Sequence, residues 1–196
     1  MEKLTFKLIT DHGFKQFKNG VGKDELRPLM HGLIVDFNIE KAYVTDANIL
    51  VRYPIYVSEK TDVRISIPLS AFDKTKYMFG DYSKIEMTEF DFEYDIQSSI
   101  VTVFLNEKEV YKVQIIEGKP PHCEAVIHID RIGEIDSISL DLVLIERLRK
   151  CIFFNTKDNA LTFQFHEKNR AVILLNPNED IYERVYGLIM PTLKYE

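Results

Sequence analysis

Four carboxylates alternate through residues 89–95 (Glu89, Asp91, Glu93 and Asp95), with Phe90, Phe92 and Tyr94 between them. In an extended chain neighbouring side chains point to opposite faces, so the acids share one face and the aromatics take the other. Such a row offers the oxygen ligands of a divalent cation, as in a metal-dependent nuclease. The plainer and stronger reading is a solvated outer face that keeps the strand from mispairing. His122, Cys123 and His128 lie close together but match no zinc-ligand spacing. No GxSxG, P-loop or GxGxxG pattern occurs, and no Ser/His/Asp order is legible. The chain is expected to have no catalytic residue, no metal and no cofactor.

Basic side chains offer a second kind of chemistry. Lys15, Lys18, Lys23 and Arg27 fall in 10–30, Lys74 and Lys76 in 69–80, and Arg147 and Lys150 in 139–152. Each stretch reads as helical or helix-bearing and holds a slight excess of base over acid, so the acidity behind the net charge of -6 lies elsewhere. That total argues against a generic basic nucleic-acid binder. It does not exclude a protein that turns one basic face to DNA, because the local sign governs the field there. For an isolated lysine the plainer reading is a solvated face.

Strands must position most of these groups. Residues 4–8 alternate, and 33–37 and 41–44 flank a turn at Asn38. Further strands are expected at 49–57, 63–67, 85–95, 99–105, 109–116, 160–165, 171–175 and 186–190, with a hairpin turn at Asn106-Glu107-Lys108. Asp141 caps an expected helix over 142–152, whose Leu144, Ile145, Leu148 and Ile152 form an apolar face. Arg147 and Lys150 share its opposite, solvated side. Shorter helices are expected over 69–77, after Pro68, and over 14–18, stopped by Asn19-Gly20. This is a sheet-rich α+β pattern, with too few helices to cover both faces of a doubly wound sheet. The final apolar run, Tyr186-Gly187-Leu188-Ile189-Met190-Pro191-Thr192-Leu193, is too greasy for a flexible tail and is expected to join a sheet.

With 196 residues and 45% apolar content the chain suits one large or two small domains. No apolar run reaches the length of a membrane span, and no basic-then-apolar leader opens the chain. Cys123 and Cys151 are too few for a disulfide framework. A cytoplasmic protein with reduced thiols and no membrane partner is expected.

Several segments together resemble the bacterial sliding clamp, the β subunit of DNA polymerase III. Leu26-Arg27-Pro28-Leu29-Met30-His31-Gly32-Leu33-Ile34 is similar to the segment of its middle domain where an Arg-Pro pair leads into a strand. Val44-Thr45-Asp46-Ala47-Asn48-Ile49-Leu50 resembles its Ala-Thr-Asp-Gly-His-Arg-Leu element, with Ala47 in place of Gly. Ile65-Ser66-Ile67-Pro68 stands where the family has a strand, a proline and then an inner helix. Gly118-Lys119-Pro120-Pro121-His122-Cys123 resembles the crossover that ends the middle domain, and the Met190-Pro191 ending resembles the clamp's terminal strand. In order and near-family spacing, these imply a DNA clamp fold, with one clamp-like domain over 1–127 and a partial second one over 128–196.

The resemblance implies a non-enzymatic processivity factor that tethers replication proteins to DNA. It also implies a homo-oligomer, and the shortened form suits a phage or mobile element. A domain and a partial one cannot reproduce the bacterial dimer. Either a shortened subunit closes a trimer or no ring forms, and the alternative function is a non-encircling, protein-binding adaptor. Non-specific phosphate contacts to double-stranded DNA are assigned to Lys15, Lys18, Lys23, Arg27, Lys74, Lys76, Arg147 and Lys150. Arg27 matches a DNA-facing arginine of the family, whereas Leu69-Ser70 stands where the family has Arg-Lys. A pocket for a short peptide of a DNA polymerase or other replication protein is assigned to Thr45, Ala47, Leu50, Leu188, Ile189, Met190 and Pro191. Without the resemblance these read as ordinary core residues.

Overall fold

The computed structural model describes residues 3–10, 17–69, 88–127, 138–152, 161–165, 171–175 and 186–192. Within them the alternating and continuous apolar runs sort into two antiparallel sheets. One sheet has the order β5-β1-β7-β8-β9: β1 is Lys3–Thr10, β5 Tyr56–Val57, β7 Thr88–Asp95, β8 Ile100–Leu105 and β9 Lys108–Gln114. The other runs β10-β11-β12-β4-β3-β2-β6: β2 is Gly32–Asp36, β3 Lys41–Thr45, β4 Ile49–Pro54, β6 Arg64–Pro68, β10 Thr162–Gln164, β11 Val172–Leu175 and β12 Tyr186–Ile189. Among the described residues two α-helices, α1 (Phe17–Gly20) and α2 (Leu142–Ile152), pack against each other and against the larger sheet.

The two sheets differ as their sequences do. In β1, Leu4, Phe6 and Leu8 point into the main core and meet Phe90, Phe92 and Tyr94 of β7, with Phe6 and Phe92 stacked at 4.4 Å. The other face carries Lys3, Thr5 and Lys7 of β1 and Glu89, Asp91, Glu93 and Asp95 of β7. In the larger sheet the runs Leu33-Ile34-Val35, Ile49-Leu50-Val51 and Val172-Ile173-Leu174 are buried without a break. Such runs belong to a sheet covered on both faces. Leu33, Val35, Ile49, Val51, Val172, Leu174 and Ile189 enter the main core, and Ile34, Tyr43, Leu50, Ile173, Leu175 and Leu188 form a second cluster on the far side.

Most of the expected elements are present, and the differences have local causes. The expected strand 49–57 is two strands in different sheets, because Pro54 has no N–H to donate and Ile55 instead donates to the Glu40 carbonyl. Of the expected helix 14–18, Phe17 and Lys18 lie in the helical turn Phe17–Gly20, which continues through Asn19 and Gly20 instead of stopping before them, and 14–16 lie outside the described residues. Gly20 is needed there: a Cβ would collide with Val44. The helix over 142–152 starts where its cap predicts, with the Val143 N–H donating to Asp141 Oδ1 at 2.7 Å. The hairpin turn holds Asn106 and Glu107 both at positive φ (49° and 63°), the geometry of a type I′ turn. The expected helix over 69–77, except Leu69 in a turn, and residues 85–87, Lys15, Lys74, Lys76, His128 and Leu193 lie outside the described residues.

Candidate partner-binding cleft and basic face

The turn between β3 and β4 is built by its own side chains. Thr45 Oγ1 donates to the Ile49 carbonyl at 2.7 Å and accepts from the Ala47 N–H at 3.1 Å. Asp46 Oδ1 accepts from the Asn48 and Ile49 N–H groups, both at 2.9 Å. The chain reverses through Ala47 at φ 74°, a left-handed conformation that costs an L-alanine strain and a glycine none.

β12 then pairs with β4, placing Leu188 opposite Leu50 and Ile189 opposite Ile49. The Met190 N–H donates to the Asn48 carbonyl at 3.2 Å, so the strand ends against the turn. Alternation separates the assigned pocket residues. Leu50 and Leu188 share the far face with Ile173, whereas Ile189 points the other way, into the main core. Leu50 (6% exposed) and Leu188 (4%) are buried in that cluster, whereas Met190 (48%) is exposed beside half-buried Pro191. Thr45 is buried and spends its hydroxyl on the turn. Ile173, which the sequence did not single out, belongs to the same cluster. Register against β12, rather than anything in its own neighbourhood, puts it opposite Leu188.

The crossover at 118–127 covers another part of the same face. Tyr43 donates its hydroxyl to Glu124 Oε2 at 2.5 Å, and Arg52 stands 3.6 Å from Glu124 Oε1. Burial, then the bond to Glu124, raises the Tyr43 phenol above its ordinary range. Burial alone accounts for most of the rise of the Cys123 thiol to about 12. A thiol so protonated is a poor nucleophile.

On the helix side, Arg147 is not simply solvated. Its Nη1 lies 2.7 Å from Asp46 Oδ2, and its Nε donates to the Asn19 carbonyl at 3.1 Å. Packing sets this position, because α2 must rest on β12 at Gly187, where a Cβ would approach Leu148 Cδ2 to 2.7 Å. Arg149 and Lys150 both reach Glu146, whose carboxyl Arg149 holds down to about 2. Arg27 is exposed and stands 3.6 Å from Asp24. Lys18 and Lys23 are also exposed, Lys18 on α1 and Lys23 in the loop that follows it.

The carboxylate row has partners in β1. Lys3 meets Glu93 at 2.7 Å, and Lys7 meets Glu89 at 2.6 Å and Asp91 at 3.4 Å. Asp95 accepts from the Gln97 and Ser98 N–H groups in the following turn. Among the described residues no group of three or more His, Cys, Asp or Glu is placed to hold a metal ion. Nor, among them, is any helix long and apolar enough to cross a membrane.

No protein-family model matches the sequence. Curated proteins give no sequence match either. Solved structures do match. The Helicobacter pylori β clamp in complex with diflunisal superposes with a TM-score of 0.68 at 11% identity, over 99% of this chain and 68% of the clamp. The β subunit of Streptococcus pyogenes DNA polymerase gives 0.66 at 14% identity, over 95% of this chain and 66% of its own. The H. pylori clamp bound to a DNA ligase peptide gives 0.65 at 10% identity, over 96% and 66%. The chain therefore has the α+β fold of the bacterial sliding clamps and spans about two thirds of their length.

Proposed function

We propose that this protein is a non-enzymatic, clamp-like tether that binds a short apolar peptide of a replication protein on the far face of β4 and β12. The observation that carries the reading is the register itself: Leu188 beside Leu50, with Met190 hydrogen-bonded to the turn that Thr45 and Asp46 build. A buried apolar cluster with a flexible methionine at its edge suits a linear peptide, because Met adapts to several partners. The DNA ligase peptide on the H. pylori clamp supplies the probe. Labelled with fluorescein, it should bind in an anisotropy titration, and Leu50→Ala with Met190→Ala should weaken it. Unchanged affinity would place the site elsewhere.

For the DNA side we assign phosphate contacts to Lys18, Lys23, Arg27 and Lys150, with Arg147 available only by leaving Asp46, and with Lys15, Lys74 and Lys76 kept as candidates. Residues 1–127 form the clamp-like unit in this reading, and 128–196 a partial second one whose β12 completes the first unit's sheet. A homo-oligomer closing head to tail would hold DNA topologically and raise the local concentration of the partner. Retention on nicked circular plasmid with release on linearisation tests this, and binding indifferent to topology contradicts it.

A specific observation favours the adaptor as second reading. Arg27, Arg147, Arg149 and Lys150 each have a carboxylate of the same chain within 4 Å. Cations so engaged give up part of their attraction for phosphate. A strict monomer in light scattering, with peptide binding intact, selects the adaptor.

A further inference from the structure

The guanidinium of Arg147 touches three separated pieces of chain: it belongs to α2, donates to Asn19 at the end of α1, and pairs with Asp46 in the turn. Asp46 divides its two oxygens between jobs. Oδ1 accepts from the Asn48 and Ile49 N–H groups, and Oδ2 takes Arg147. The Asn48 carbonyl in turn accepts from the Met190 N–H. A continuous series of bonds thus runs from α2 through the turn to the Met190 backbone. Asp46 is largely buried and Arg147 about one third exposed, so water screens this pair less than the exposed pairs on β1 and β7.

We propose that Arg147 is a positioning residue for the cleft: by holding Asp46 it fixes the turn, and through Asn48 the Met190 backbone, so that peptide affinity depends on a side chain outside the cleft. The proposal rests on the cleft reading given above and adds to it the residue that sets the rim. The strain at Ala47 favours such a brace in addition to the bonds of Thr45 and Asp46, because a turn held in a left-handed conformation persists only when its surroundings over-determine it.

The test compares Arg147→Gln and Asp46→Asn in the full chain. Asn at 46 still presents an oxygen to the Asn48 and Ile49 N–H groups, so it removes the ion pair while leaving the turn its acceptor. In both variants, amide exchange at Asn48, Ile49 and Met190 should quicken about tenfold, while β1 and β8 keep their protection. The labelled ligase peptide should bind about three- to tenfold more weakly, and the double variant should be no worse than the worse single one, as expected of two residues acting through one contact. Unchanged exchange at those three amides overturns the proposal. So does quickened exchange with unchanged affinity, or losses that add. If the wild-type chain binds no peptide while exchange still quickens locally, the cleft reading fails and the bracing of the turn by Arg147 stands.

Discussion

Leu188 faces Leu50 across an antiparallel pair, on the side of the larger sheet away from the main core. The next residue of each strand, Ile189 and Ile49, faces the opposite way into that core. One register therefore determines both how the terminal strand is anchored and what it displays. A slip of one residue would exchange the two roles, turning Leu188 into the main core and Ile189 to the far side.

The turn at Ala47 should be improved by glycine. Relief of left-handed strain is worth about 1–2 kcal/mol, and the entropy glycine adds to the unfolded chain returns about 0.4–1 kcal/mol, so Ala47→Gly should stabilise by about 0.5 kcal/mol. Urea unfolding measures it. A loss of stability would show that the φ of 74° is not a strained one.

Gly187 lets α2 lie on β12. An added Cβ would approach Leu148 Cδ2 to 2.7 Å and Ile152 Cδ1 to 2.9 Å, and overpacking of this kind costs about 1–3 kcal/mol. Gly187→Ala should lower Tm accordingly, and Leu148→Ala should cost less stability in that background than in the wild type, because it removes the atoms the new Cβ strikes. If Gly187→Ala is neutral, the helix does not sit as closely as described.

The thiols of Cys123 and Cys151 should be silent in the native protein. Burial is the main cause that raises both from 9.0 to about 12. Their native state thus holds its protons longer than the unfolded one, so this contribution to stability is full below about pH 9 and is lost as pH rises towards 12. The raised Tyr43 and Tyr53 phenols act in the same direction. Denaturation midpoints should fall above pH 9, and a thiol reagent at pH 8 should label the protein only after denaturant is added. Rapid native labelling of Cys151 would contradict the packing of α2 on the sheet, and of Cys123 the packing of the crossover on the far side.

The acidic face of β7 should bind no metal. Its carboxylates already face Lys3 and Lys7 across the strand pair. Neither Mg²⁺ nor EDTA should move Tm, and Asp91→Ala should change no DNA-cleaving activity. A saturable Mg²⁺ shift lost in Asp91→Ala would restore a metal site there.

Local chemistry made much of the fold legible. Asp141 announced the start of α2, Asn106-Glu107 the hairpin turn, and the alternation at 89–95 a strand with one polar face, because each of those signals acts within a few residues. The Thr45-Asp46 turn and the Met190-Pro191 ending were visible as a pair only through the resemblance. What stayed hidden depends on distant partners. Ile189 looks like Leu188 in sequence, and only register sends one into the main core and the other to the far side. Arg147 looks like a solvated helix residue, and only the packing at Gly187 carries it to Asp46. The division of 49–57 between two sheets likewise needs the Glu40 carbonyl, which no local pattern points to.

Methyl NMR during titration with the ligase peptide tests the central claim most directly. The account predicts saturable shifts at Leu50, Ile173, Leu188 and Met190, with Ile49, Val51 and Ile189 behind the sheet nearly unmoved. Shifts confined to methyls elsewhere, such as exposed Leu26 or Leu142, would contradict it, as would a spectrum that the peptide leaves unchanged.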